Sequence, residues 1–567
     1  MGVSSLVALG ALLATVFLWQ RNSKKNLGAL PPGPKPVPVL GNILDLTAKE
    51  LWLPAMEWAK KFGSVTYLHV LGQGLVFLNT SEAAFDLLER KGSTYSDKPY
   101  LVMVCELCGC ENMVAFTPYG DQSRRQRKLL HRAFGTQVIP QYFPLIESST
   151  KAFLQRLLVD SSEWIKHTKL YGGSLTLSTV YGYELRSSDD KFLKLADECV
   201  DILSNRIASG GGIWPVDIFP SLKKLPLWAP GSGFLHSAKK WKSKMEEFVD
   251  EPYEFVKASI KSGTAKPSFC STLLLDDEEK KSETFEFDLK WTANSMYSAS
   301  IDTTTTAVSH FLLAIMQHPA KLAKAQKEID SVVGCDRLPT FADRPFLPYV
   351  EALYKETLRW AAPVPLSLPH RSMEDDVYNG MFIPKGSLIF GNIWAIVRDE
   401  KLYPNAHAFI PERFLEELDE VTKKKMDPKS YVFGFGRRRC PGANLIDSSL
   451  WYLMVCMMAT LDISKATDDF GNVIEPKVDF NNSVFRIPDP FQVDIRPSLP
   501  VPFITSIKDS SNALAHAPLI AFLLLLSPSC RTWGITHTEA LLNFRAIISL
   551  RKCSTLRVLG TDGMQET

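Results

Sequence analysis

The stretch 431-YVFGFGRRRCPGANL-445 sets one cysteine, Cys440, between three arginines and the pair Pro441-Gly442. Gly434, Gly436 and Gly442 free the backbone, and Phe433 and Phe435 interleave with them. Positive charge and open backbone amides both stabilise a thiolate. Zinc wants three or four protein ligands at paired spacing, and Cys440 has no cysteine neighbour. A nucleophilic cysteine needs a base, for which His370 is the obvious candidate. Haem iron takes a single axial thiolate, and flanking arginines would meet its carboxylates through charge-assisted hydrogen bonds.

Around this loop lies a chain of 567 residues, 45% hydrophobic and 22% charged, with a net charge of +2. That charge speaks against nucleic-acid binding by bulk electrostatics. Ten cysteines in so long a chain do not make a disulfide scaffold. Val3 to Trp19 carries no charge and is followed by Arg21, Lys24 and Lys25. The pattern predicts a membrane anchor over residues 1–20 with the body on the cytoplasmic side. A cleaved signal peptide would want its basic residues first. Residues 21–42 read as a basic, proline-rich hinge, stiff and extended. The body spans 43–506 and reads mainly as helix.

Asp288 to His318 is the longest helical candidate, ended by Pro319. In its middle Asp302 precedes four threonines, Thr303 to Thr306. Hydroxyl residues compete for backbone carbonyls, so an acid and a hydroxyl run in an apolar helix break a local rule, and such breaks mark function. A second helix, 347-LPYVEALYKETLRW-360, puts Glu356 and Arg359 on one face. Arg413, in 411-PERF-414, would let one carboxylate bridge two guanidiniums and pin a loop to that helix.

These segments carry a resemblance. Phe433-x-x-Gly436-x-Arg438-x-Cys440-x-Gly442 is similar to the haem loop of the cytochrome P-450 monooxygenases. The Glu356/Arg359 helix, the Pro-Glu-Arg-Phe segment with Arg413, and Ala299-Ser-Ile-Asp302-Thr303-Thr304 resemble three further motifs of that family, in the family's order. The resemblance covers roughly residues 30 to 506. It implies a mainly α fold with small β-sheets, a triangular helical body with haem b buried between a long central helix and the cysteine loop. By the same resemblance Cys440 is the metal ligand, Phe433 shields its sulfur, and Gly436 and Gly442 shape the loop. Arg438, Arg127 and His370 reach haem propionates, and Asp302 and Thr303 manage proton delivery to dioxygen. Family position makes Met113, Phe116, Ile301, Val364, Leu366 and Phe485 the substrate pocket. Their apolar character favours an uncharged, lipophilic substrate. Two positions depart from the family: Ser123 stands for a tryptophan that donates to a propionate, and Ser300 for a glycine in the long helix.

The resemblance further implies an NADPH-dependent flavoprotein reductase as partner, with Arg124, Arg125, Lys128, Arg437 and Arg439 as a basic face for it. It implies an endoplasmic reticulum membrane with the catalytic body in the cytoplasm. The Trp-, Pro- and Phe-rich segment 213–234 resembles the membrane-facing loop of fungal members that oxidise terpenoids, polyketides or indoles in secondary metabolism. A haem isomerase or dehydratase that needs no external electrons, and a non-catalytic membrane haem protein, are the alternatives. The intact Asp302-Thr303 pair speaks against both. Cys105, Cys108 and Cys110 lack a fourth ligand and read as packing, not zinc. Asn79 and Asn481 head glycosylation sequons that a cytoplasmic domain leaves unused. Residues 507–567 follow no pattern and read as disorder or a gene-model artefact.

Overall fold

The computed structural model describes residues 28–46, 50–208, 214–276, 283–480 and 484–498. The expected anchor, the first part of the hinge, Asn481 and the tail lie outside these residues. Among the described residues no helix is long and apolar enough to cross a membrane.

The longer helices are α1 (Trp52–Phe62), α2 (Asp121–Phe134), α3 (Phe143–Val159), α4 (Trp164–Tyr181), α5 (Lys191–Asp201), α6 (Gly233–Lys261), α7 (Phe285–Gln317), α8 (Pro319–Val332), α9 (Pro348–Ala361) and α10 (Ala443–Thr460). Strands β1 (Val65–Val70), β2 (Gln73–Leu78), β3 (His370–Arg371) and β6 (Leu388–Gly391) form a sheet in the order β1-β2-β6-β3. Two further pairs, β4 (Asp376–Tyr378) with β5 (Met381–Ile383) and β7 (Leu461–Lys465) with β8 (Val493–Pro497), complete the small sheets.

Helix α7 begins one turn before its sequence-expected start. Its last turns, Phe311 to Met316, are apolar all round and all buried, as a helical stretch without a polar face must be. Helix α10 is buried for the same reason from Ser448 to Thr460. Against α7 lies α4, close enough that a Cβ at Gly172 would just touch the Ser300 carbonyl and the Thr304 Cβ, each at 3.4 Å.

The hinge, expected as a spacer, is docked where it is described. Tyr67 N–H donates to the Pro32 carbonyl (3.0 Å) and Asn42 N–H to that of His69 (2.6 Å). A Cβ at Gly33 would fall 1.9 Å from the Tyr67 oxygen, so the backbone approaches β1 as closely as glycine allows.

Helix α9 carries the charge that fixes the segment after β6. The Glu356 carboxylate accepts from Arg359 Nε (2.7 Å) and Nη2 (2.8 Å) and from Ile410 N–H (2.7 Å). Arg413 Nε lies 3.4 Å away. Arg359 also donates to the carbonyls of Val397, Ala406 and Ala408. Both Glu356 and Arg359 are fully buried, so removing the carboxylate strands two guanidiniums in the interior. Glu356→Ala is expected to cost about 3–5 kcal/mol, read as a lower midpoint in chemical unfolding. A variant within experimental error of the parent would show that the bridge is dispensable.

Candidate active site

The loop that holds Cys440 is tied from both sides. Cys440 N–H donates to the Phe433 carbonyl at 2.7 Å. Gly436 has φ +52°, and a Cβ there would lie 2.2 Å from the Leu88 carbonyl oxygen, so only glycine fits. Phe435 is buried and meets the Phe85 ring edge-on at 5.9 Å, while Phe433 is half-buried. Burial raises the Cys440 thiol pKa; amide donation from Gly442 and Ala443 and the charges of Arg127 and Arg439 act the other way. The two amides open α10, where a helix start favours an anion.

Cys440 nevertheless has an exposed side chain. Desolvation and exposure coexist when the open surface faces a cleft inside the body. Ala299 behaves likewise: it is exposed at mid-helix although its neighbours along α7 are buried or half-buried. Thr303, one turn on, is half-buried and gives its hydroxyl to the Ala299 carbonyl at 2.8 Å. Ser295, one turn before, accepts from Val114 N–H at 2.9 Å. Ser295, Ala299 and Thr303 thus form the open stripe of α7 at four-residue spacing. Ile301 stands on the opposite face and is fully buried. On this face of α7 the exposed side chain is that of Ala299.

Of the other expected pocket residues, Met113 is buried and Phe116 half-buried; they flank the Val114 bond to α7. Val364, Leu366 and Phe485 are half-buried. Arg486 N–H donates to the Pro363 carbonyl at 3.0 Å, which brings the segments of Val364 and Phe485 side by side.

Donors converge next to the cysteine loop. Arg438 gives Nε to the Ser96 carbonyl (2.7 Å) and Nη2 to that of Thr117 (2.9 Å), while its buried Nη1 has no partner. Arg127, on α2, donates to the Arg439 carbonyl at 2.8 Å. His370, on β3, holds the Tyr95 carbonyl through Nδ1 at 2.7 Å. Lys98 joins them. Its ammonium donates to the Leu368 and Pro369 carbonyls, each at 3.1 Å, and keeps a third proton free of them. Burial, then Arg438 and Arg127, push its pKa well down. Burial and Arg127 bring Arg438 down to about 10. Asp97, the carboxylate that offsets both, is already engaged by Arg371 (2.5 Å) and by Tyr119 N–H (2.8 Å). A buried cationic cluster with an orphan N–H and no free carboxylate is fitted to an anionic group, and haem with its two carboxylates matches it. No motif flags Lys98 in the sequence, because its partners come from segments some 30 and 340 residues away, read as the separations to Arg127 and Arg438.

In α7 the hydroxyl run is absorbed into the helix. Thr305 and Thr306 donate to the carbonyls of Ile301 (2.9 Å) and Asp302 (2.6 Å), and Ser300 to that of Tyr297 (3.0 Å). Ser300 therefore turns its hydroxyl to the backbone. Asp302 is buried. Burial raises its pKa to about 6, Lys169 on α4 lowers it, and Asp197 and Asp201 on α5 raise it. Asp197 is itself bonded to Lys169 at 2.5 Å. Cys105, Cys108 and Cys110 are fully buried, and burial raises all three thiols. Among the described residues no group of His, Cys, Asp and Glu could hold a metal ion by itself. Asn79 is buried and donates to the Gly63 carbonyl and Thr66, so the folded chain does not present it for glycosylation.

A family model for cytochrome P450 matches residues 31–494. The cytochrome P450 monooxygenase claT of Ampulloclitocybe clavipes is 38% identical, covering 87% of this chain and 97% of its own length. Cytochrome P450 monooxygenase 208 of Postia placenta is 39% identical over 86% of this chain and 94% of its own. A second Ampulloclitocybe clavipes relative, claR, is 38% identical over 88% and 90%.

The raised acid sets a pH dependence. Asp302 titrates near 6 in the fold against an ordinary 3.8, so its protonated form is favoured by folding. That contribution is fully present below about pH 4 and is lost as pH rises through 6, by roughly 3 kcal/mol. Asp302→Asn, with no proton to lose, is expected to be the more stable protein at pH 7.5 and to show a flatter melting profile from pH 4 to 7.5. A parallel profile in parent and variant would contradict the shift.

Proposed function

The chain belongs to the cytochrome P450 family of monooxygenases, and from that premise we propose that it oxidises a lipophilic small molecule in secondary metabolism at a haem b held by Cys440. The reaction places one oxygen atom of dioxygen in the substrate and the other in water. Two electrons come from an NADPH-dependent reductase and two protons from solvent. The bound haem supplies oxygen activation, and its iron keeps Cys440 as thiolate.

The observation that carries this reading is the cluster of Lys98, Arg127 and Arg438, short of carboxylates and joined by a neutral His370, beside that thiol. Lys98, Arg127 and Arg438 would hold the two propionates. His370 is kept neutral by burial and by Lys98; an anion beside it would favour its charged form and let Nε2 donate. Lys98 stands in a loop and compensates for the tryptophan replaced by Ser123. Phe433 and the Gly442 and Ala443 amides would protect the sulfur. Thr303 presents a hydroxyl on the open stripe of α7, and Asp302 titrates where a general acid can both gain and release a proton near neutral pH.

The rest of the reading concerns surroundings. Met113, Phe116, Ala299, Val364, Leu366 and Phe485 would surround an uncharged substrate of terpenoid, polyketide or indole type. Membrane attachment is supported by exposed apolar side chains at one end: Val39 (88%), Leu44 (69%) and Trp228 (85%). Ile218, in the segment leading to Trp228, packs on the cluster of Leu46 and Trp58, so both stretches share that end. With the uncharged run 3–19 ahead of them, we place the enzyme on the endoplasmic reticulum, body in the cytoplasm. Arg124, Arg437 and Arg439 are exposed and suit an acidic reductase.

Reductase-containing microsomes test the reading. The parent protein is expected to give the red-shifted carbon monoxide band of thiolate-bound ferrous haem, and Cys440→Ala to lose it. A band that survives would move the ligand to another residue. Thr303→Ala is expected to keep consuming NADPH while product falls about 100-fold and hydrogen peroxide makes up the difference. A product-to-NADPH ratio equal to the parent's would take Thr303 out of proton delivery.

A further inference from the structure

Both ends of the cysteine loop meet in one cluster of charges. Arg344, just ahead of α9, points its side chain between α9 and α10. Its Nε and Nη2 donate to Glu351 on α9 (2.9 and 3.2 Å), and its Nη1 and Nη2 to Asp447 on α10 (2.9 and 3.3 Å). The same group lies over the ring of Trp451, 5.0 Å from its centroid, one turn beyond Asp447. Lys429 Nζ sits 3.4 Å from both Glu351 and Asp447. Two positive and two negative charges are therefore locked together, each side chain between 21% and 24% exposed.

Isolated surface ion pairs contribute little. This one is different in geometry: the guanidinium is bidentate to two carboxylates, which uses its fork as fully as it can be used. It is also different in place. Lys429 opens the segment that leads to Cys440, and Asp447 follows it. Ala443, whose N–H donates to the Cys440 carbonyl at 3.4 Å and whose amide also favours the thiolate, precedes Asp447 by one helical turn on the same face of α10. Turning or sliding α10 would carry the Gly442 and Ala443 amides off the sulfur. At the other end the Lys429 carbonyl accepts from Arg439 Nη2 at 3.1 Å, and Arg439 is the residue next to Cys440.

We infer that Arg344, Glu351, Lys429 and Asp447 form a clamp that sets the hydrogen bonds on the Cys440 sulfur, and so tunes the electron donation of the thiolate. The four are positioning residues, acting through α10 and the loop. This rests on Cys440 being the haem ligand. Amide donation to a thiolate stabilises the reduced, more negative state; losing it moves the iron potential down.

The full-length haem-loaded protein tests this with Asp447→Asn, Asp447→Glu and Lys429→Met. Asp447→Asn is expected to keep haem, to shift the ferric/ferrous midpoint potential to more negative values, to lose part of the red-shifted carbon monoxide band, and to slow reductase-driven turnover about 10-fold. Asp447→Glu, which keeps the charge, is expected to restore most of the potential. Haem-loaded Asp447→Asn with the parent's potential and band would overturn the clamp, as would equal shifts in Asn and Glu variants. If Asp447→Asn takes up no haem, Lys429→Met decides in the same way: it opens one end and leaves Arg344 bidentate, and an unmoved potential overturns the clamp. A parent protein without the red-shifted band would instead remove the ligand assignment, and the clamp with it. Those two failures are told apart by the parent spectrum alone.

Discussion

Positive charge buried without free carboxylates is the constraint around which this protein is arranged. Lys98 and His370 are buried, Arg438 has an N–H in the interior with no partner, and the one offsetting carboxylate, Asp97, is committed elsewhere. Such a cluster costs several kcal/mol per uncompensated ion. It persists because four separate segments hold it: the loop of Lys98, helix α2 with Arg127, strand β3 with His370, and the cysteine loop with Arg438. A dianionic cofactor bound at this place would offset that cost. The same loop then puts a single sulfur beside the charge and two amides against the sulfur.

A second buried charge set does the opposite work. Glu356, Arg359 and Arg413 are compensated among themselves and with backbone carbonyls, so they hold the chain after β6 rigid without asking for a ligand. The contrast is informative. At Glu356 the guanidiniums meet a carboxylate and hold the scaffold; beside Cys440 they meet carbonyls and would take up an anionic group. Arg344 with Glu351 and Asp447 belongs to the first kind, yet stands between the scaffold helix α9 and the loop that carries Cys440, and links the two.

Much of this was legible in the sequence because the chemistry is local. The cysteine loop needs glycines at fixed offsets, and a Cβ at Gly436 would lie 2.2 Å from the Leu88 oxygen. Glu356 and Arg359 share a helix face at three-residue spacing, and the apolar last turns of α7 announce a buried helix. What could not be read was tertiary. Lys98 looks like any loop lysine until Arg127, Arg438 and His370 surround it. Which residues of α7 face the cleft depends on helix rotation, about 100° per residue, and buried Ile301 lies across the helix from Ala299 and Thr303. The proline-rich hinge has the composition of a spacer, and only its hydrogen bonds to Tyr67 and His69 show that residues 32–42 belong to the body.

X-ray absorption at the iron edge of the purified haem protein tests the central claim most directly, because it counts the atoms bound to the metal without reference to activity or substrate. The expected result is one sulfur neighbour in the parent protein, with the four haem nitrogens, and no sulfur neighbour in Cys440→Ala. An iron surrounded only by nitrogen and oxygen in the parent protein would contradict the account, and would leave the buried cations gathered around a loop that binds nothing through its thiol.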